Sequence, residues 1–208
     1  PLDMRMNPTE GESASEWLNK ASEKEIADVI YQYGEERASR KISKAIIKIR
    51  EKTPIHRTKQ LAEIICKAIP SNKQDIHPAT KTFQAFRIYI NHELDEIREV
   101  LPQATDVLCK GGRLAAISFH SLEDKIIKYF FKSLSEIKSV SRYMPKIKEK
   151  ANLFKLINKK PITPSIQEIK ENPPSRSAKL RFVIKEKNIL NFKTDILDKF
   201  NYLIEIEN

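Results

Sequence analysis

Glycine is scarce in this sequence: four in 208 residues, at Gly11, Gly34, Gly111 and Gly112. None of them forms a Gly-x-Gly fingerprint after a strand, and there is no P-loop and no Gly-x-Ser-x-Gly elbow. Cysteine is scarcer still. Cys66 and Cys109 lie far apart in apolar surroundings, which excludes a disulfide framework or a zinc knuckle and fits a reducing, cytoplasmic compartment. The four histidines show no ligand spacing among themselves or with the cysteines, so no metal site is expected. No apolar run is long enough to span a bilayer and no signal-peptide pattern is present, so no membrane partner is expected. The first residue is Pro1, which reads as a processed chain or a segment of a longer reading frame.

What is present in excess is positive charge. Thirty-eight Lys and Arg against 28 Asp and Glu leave a formal +10. Such an excess favours polyanions, nucleic acid first among them; a merely lysine-rich surface is an equally good reading of charge alone. The hydrophobic fraction of 40% is enough for a packed core.

Residues 1–12 read as a loop. Ser13 with Glu16 and Ser22 with Glu25 have capping-box spacing. Apolar residues then recur at helical spacing through Ile26, Val29, Ile30 and Tyr33, through Ile42, Ile46 and Ile49, and through Leu61, Ile64 and Ile65. Residues 13–77 are therefore expected to form a helical module with basic outward faces. A longer helix is expected over 78–101, interrupted or restarted at Pro102. The run Leu114–Phe119 is short and almost wholly apolar, as a buried strand of a parallel sheet would be. A helix follows it, with Ser121 and Asp124 placed to cap it. Residues 138–175 read as a long loop, Lys179–Lys185 as a strand, and Pro161–Ile166 as the antiparallel edge beside it. The tail 188–208, with Leu190 among its apolar positions, suggests a terminal helix. The chain as a whole is expected to be α/β: a loop over 1–12, the helical module, an α/β part over 78–187, and the tail.

Three places could carry chemistry. In open α/β sheets ligands bind at the carboxyl ends of strands, which nominates Ser118, His120 and Ser121 as catalytic candidates; a helix cap and a structural histidine explain the same residues. Arg176, Lys179 and Arg181, in NPPSRSAKLR, could grip phosphates or form a solvated loop. Asp3 and Arg5, flanked by methionines, could line a pocket or a packed turn. Arg37, Arg40 and Lys41 on the helical module are further candidates for RNA contact.

Taken together, PLDMRM at 1–6, GGRLAAISFHSLED at 111–124 and RSAKLR at 176–181 resemble the signature blocks of the ribosomal RNA small-subunit methyltransferase H family, also called MraW. ASEWLN at 14–19, YGEERASRKI at 33–42, RTKQLAEII at 57–65 and HPATKTFQAFRIYINHELDEI at 77–97 fit in order, so the resemblance covers 1–187. It implies a class I, Rossmann-like methyltransferase domain with an inserted helical substrate-recognition domain. The implied reaction is methyl transfer from S-adenosylmethionine to N4 of a cytidine in the decoding region of small-subunit rRNA. Implied partners are that rRNA or the 30S subunit, with a homodimer or a separately supplied N-terminal half left open. Ser118, His120 and Ser121 would face the catalytic cleft, Asp3 and Arg5 would border it, and Arg176, Lys179, Arg37, Arg40 and Lys41 would contact RNA.

One departure matters. The family's Gly-rich loop and its ribose-holding acidic residue lie before PLDMRM, so no cofactor contact transfers to a residue here. The chain is expected to be an incomplete copy that binds S-adenosylmethionine poorly. A non-catalytic RNA- or ribosome-binding remnant is the competing reading.

Overall fold

A computed structural model describes residues 1–69, 77–135, 152–189 and 191–203. The chain divides into two compact units: Pro1–Glu93 with the chain's end from Tyr202, and Leu94–Asn201. The sequence expectations for residues 70–76, 136–151, 190 and 204–208 fall outside the described residues.

The first unit is helical: α1 (Ala14–Lys20), α2 (Glu23–Gly34), α3 (Ser39–Arg50), α4 (Thr58–Ala68) and α5 (Thr80–Ile90). Both expected capping boxes form. The Ser13 and Ser22 side chains accept from the backbones of Glu16 and Glu25, whose carboxylates accept from the cap backbones in return. Each box satisfies two donors that a helix start leaves orphaned. Apolar stripes then close on one another, burying Ile26, Ile30, Ile42, Ile46, Leu61, Ile65 and Phe86 completely. Each such side chain contributes about 1.5–3 kcal/mol by leaving water. Trp17 lies edge-on to Phe86, with ring centroids 5.4 Å apart. Gly34 does more than stop α2: a Cβ there would lie 2.7 Å from the carbonyl oxygen of Lys81, so glycine sets the approach of α5.

The helix expected over 78–101 is two helices, α5 and α6 (Glu93–Val107). His92, at φ +49°, ends the first. The Asn91 amide beside it turns to the opening segment, donating to the Met4 carbonyl at 2.8 Å and accepting from the Met6 N–H at 2.7 Å. Pro102 does not interrupt α6, which continues around it at the loss of one rung of the hydrogen-bond ladder.

The second unit pairs β1 (Arg113–Ser118), β2 (Phe154–Leu156) and β3 (Lys179–Lys185) with α7 (Ser121–Ser135) and α8 (Ile166–Glu171). The strand order is β1-β3-β2 and both pairings are antiparallel. The expectation of a buried parallel strand at Leu114–Phe119 therefore fails among the described residues. Among the described residues β1 lies at the edge of the sheet with one open face, where Ile117 is 61% exposed. An all-apolar run signals that a strand can be covered on both sides, and here α7 covers one side only. The antiparallel edge beside β3 is β2; Pro161–Ile166 contributes an isolated bridge between Ile162 and Leu180.

α7 buries Leu122, Ile126, Ile127, Phe130 and Phe131, with Phe130 and Phe131 both meeting Phe154 edge-on. Two charged residues of β3 are buried with this core, Arg181 and Lys185. The Lys185 ammonium donates to the carbonyls of Thr105 and Leu108, each at 2.6 Å, and so caps the end of α6. Among its described residues the tail forms no α-helix. It runs back over α6 and α7 and makes a 3-10 turn at Asp198–Leu203. The Phe192 N–H reaches the Asp106 carboxylate at 2.8 Å, Arg98 reaches Asn201 at 2.6 Å, and Phe200 packs edge-on to Tyr129.

Candidate active site at the end of the first strand

β1 delivers Ser118, Phe119, His120 and Ser121 to the start of α7. Beside the pair Ser121 and Asp124 expected to cap α7, His120 and Glu123 make a cap of their own. The imidazole Nδ1 accepts from the Glu123 N–H at 3.3 Å, and the Glu123 carboxylate accepts from the N–H groups of Phe119 at 2.8 Å and His120 at 3.3 Å. This is the logic of a capping box, with histidine in place of serine. The imidazole Nε2 lies 3.4 Å from Glu123 Oε1. The His120 side chain is only 5% exposed. Ser118 is buried, its hydroxyl 3.5 Å from the Lys179 carbonyl, whereas Ser121 and Phe119 are open to solvent.

The register places Lys179 opposite Ser118. Its ammonium reaches the Asp124 carboxylate at 3.4 Å, and Arg181 forks onto the same carboxylate at 2.6 and 3.1 Å. Burial is the largest influence on Asp124 and raises its pKa, but the hydrogen bonds and charges of Arg181 and Lys179 outweigh it and hold the carboxyl below its usual value. Two cations thus share one anion beneath the strand end. Arg176, in the 3-10 turn Pro173–Ser177, is exposed.

The remaining sequence candidates belong to the first unit. Arg5 forks onto Asp3 at 2.7 and 2.9 Å and donates to the Gly11 carbonyl at 2.9 Å. The Arg5 hydrogen bond holds the Asp3 carboxyl down at about 2. The pair lines a cavity of about 610 Å³ with Ser15, Glu16, Asn19 and His56. Between them Met4 sits at φ +69°, a strained conformation for a non-glycine residue, stabilised here by the Asn91 clamp. Arg37, Arg40 and Lys41 are exposed.

Sequence reasoning missed Glu123, gave Asp124 the role of a helix cap and set Arg181 in a phosphate-gripping turn; the structure buries Arg181 against Asp124 instead. The available signal was Arg181 itself: an arginine at an inward strand position needs a carboxylate.

The MraW methylase family model matches residues 1–186. The chain belongs to the MraW methylase family. It is 52% identical over 187 residues to the ribosomal RNA small subunit methyltransferase H of Nitrosococcus oceani, an alignment covering 89% of this chain and 59% of that protein. The protein of the same name from Coxiella burnetii is 48% identical over 186 residues (89% and 60%). That from Rhodopseudomonas palustris is 47% identical over 181 (87% and 54%). The chain thus spans between one half and three fifths of the length of these curated relatives. The MraW family match runs through both units, including the whole β1–α7 junction and β3, and ends before the terminal strap over α6 and α7. Among the described residues no helix is long and apolar enough to cross a membrane.

Proposed function

We propose that the protein to which this sequence belongs methylates N4 of a cytidine in the decoding region of small-subunit rRNA, with S-adenosylmethionine as donor. The observation that carries this reading is the 52% identity with a curated rRNA small subunit methyltransferase H across both units. In this reading residues 13–77 are the substrate-recognition domain inserted in a class I methyltransferase domain.

The chemistry sets two demands. The target base must leave its stack, and its weakly nucleophilic amine must be held in line with the reacting methyl group, where orientation supplies much of the rate. In this reading Ser118 and Ser121 hydrogen-bond the base at the strand end. His120 is a positioning residue: its cap fixes the β1–α7 turn. Asp3 and Arg5 border the cleft. Arg176 and Lys179 contact RNA phosphates, as do Arg37, Arg40 and Lys41.

The described residues do not fit S-adenosylmethionine by themselves. The turn after β1 is filled by Phe119, His120 and Ser121, and no glycine there opens the backbone to a cofactor. In this reading the donor site lies outside the described residues.

Methyl transfer to small-subunit rRNA by the full-length protein, with His120→Ala and His120→Asn, is the direct test. Asparagine can replace the cap and alanine cannot, so activity is expected to fall for alanine and recover partly for asparagine. Equal activity in all three would remove His120 from the site. Calorimetry of the 208-residue chain with S-adenosylmethionine tests the division, and micromolar binding would overturn it. The competing reading, a non-catalytic RNA-binding remnant, gains from the same lack of a donor cradle. It predicts RNA binding with no methyl transfer even when the full-length protein is assayed.

A further inference from the structure

Asn91 uses almost every hydrogen-bonding position of its side-chain amide. Its Nδ2 group donates to the carbonyls of Met4 and Arg87, each at 2.8 Å, and its Oδ1 accepts from the Met6 N–H at 2.7 Å. The bond to Arg87, one turn back on α5, fixes the plane of the amide. Two carbonyls on one side and an N–H on the other leave only one way round for the group. The side chain thus pairs with the opening segment as a neighbouring strand would, gripping the backbone on either side of Arg5.

The grip falls where the chain is strained. Met4 has φ +69°, a conformation that is costly for a non-glycine residue and persists only when the surroundings impose it. Before Met4 the segment is fastened by backbone bonds. The Leu2 N–H donates to the His56 carbonyl, and the Leu2 and Asp3 carbonyls accept from the N–H groups of Ser15 and Ala14. The turn at Met4 then decides which side chain goes where. Asp3 and Arg5 line the cavity of about 610 Å³, while Met4 lines a second one of about 550 Å³ with Phe83, Gln84 and Arg87. Both cavities lie within the first unit. Simple anchoring needs no strain. Strain imposed by a side chain 87 positions along the chain points to a geometry held for use.

Resting on the methyltransferase reading above, we infer that Asn91 is a positioning residue for that reaction: by clamping Met4 and Met6 it holds the Asp3–Arg5 fork in one cavity and the Met4 side chain in the other. Arg5 is committed to this geometry, with Nε and Nη2 on Asp3 and Nη1 on the Gly11 carbonyl. The Asp3 carboxylate, 37% exposed, is the member of the fork still open to a substrate group.

The test is methyl transfer to small-subunit rRNA by the full-length protein carrying Asn91→Ala, Asn91→Asp, Met4→Gly, or Met4→Gly with Asn91→Ala. Asn91→Asp is nearly isosteric but turns an oxygen towards two carbonyls, so it should behave as Asn91→Ala does. Both should lower kcat about tenfold or more while KM changes by less than about threefold. Glycine adopts positive φ without strain, so Asn91→Ala should matter less in the Met4→Gly background, a coupling read from the double-mutant cycle. Ser22→Ala, which weakens a helix cap of the same unit, controls for stability: it should lower the melting temperature and leave kcat unchanged. A loss of kcat no larger than that of Ser22→Ala, or one that Met4→Gly does not soften, would overturn the assignment.

A second readout does not use the reaction. In the 208-residue chain Asp3, followed by NMR, should titrate at about 2 in the parent and move up towards the ordinary carboxylate range in Asn91→Ala, as the Arg5 fork loosens. An unmoved Asp3 would overturn the clamp as well. Absence of methyl transfer by the parent full-length protein would sink the methyltransferase reading instead, and the Asp3 titration would still decide whether the clamp holds the fork.

Discussion

Arg181 of β3 and Asp124 of α7 meet in a two-pronged ion pair, Nε to Oδ1 at 2.6 Å and Nη2 to Oδ2 at 3.1 Å, with both side chains about one tenth exposed. The pair locks the helix after β1 to the central strand. Removing Arg181 leaves the buried Asp124 carboxylate only Lys179, at 3.4 Å, for compensation. Arg181→Met should therefore destabilise the chain by roughly 3–5 kcal/mol, read as a lower urea midpoint.

The same pair gives stability an acid limb. Asp124 has a lowered pKa in the folded state. Its contribution is fully present above the unfolded aspartate value and is lost as pH falls through the lowered folded value. Unfolding free energy measured across the acid range should fall less steeply in Asp124→Asn than in the parent chain. Equal slopes would show that the carboxylate is not held down.

Lys185 is 1% exposed and ends on two carbonyls at the close of α6. Lys185→Met keeps the stem but strands both acceptors. A loss of about 2–4 kcal/mol is expected, together with faster amide exchange through Thr105–Leu108.

The capping box of α2 is a smaller contributor. Ser22→Ala removes the oxygen that accepts from the Glu25 N–H at 3.2 Å, and about 1 kcal/mol should go with it. Ser22→Asn should restore most of the lost melting temperature.

The terminal strap lies beyond the family match yet buries Leu197 and Phe200 to 4% and 1% exposure. Phe200→Ala should cost roughly 3–5 kcal/mol, while Tyr202→Ala, at a half-exposed position, should cost far less. Similar melting temperatures for the two would show that the strap does not bear on α7.

The site was only partly legible beforehand. The strand-to-helix turn at His120 follows from an apolar run ending in polar residues. Its cap does not, because Ser121 and Asp124 have plausible cap chemistry and only the packing of α7 on β3 diverts Asp124 to Arg181. The break at Asn91 and His92 was equally hidden: the apolar spacing continues across it, while the Asn91 side chain is claimed by Met4 and Met6, more than eighty residues away.

What the sequence determined alone is what depends on near neighbours: two capping boxes, the helices between them, a strand at Leu114 and another at Lys179, and a family signature spread over most of the chain. Caps and periodicity are interactions over three or four residues, and they are written in the order of the chain. The tertiary structure alone decided that β1 pairs antiparallel with β3 at an open edge, that Asp124 answers Arg181, and that the tail becomes a strap. Those outcomes rest on contacts across tens of residues, where the deciding quantity is which buried polar group finds which partner.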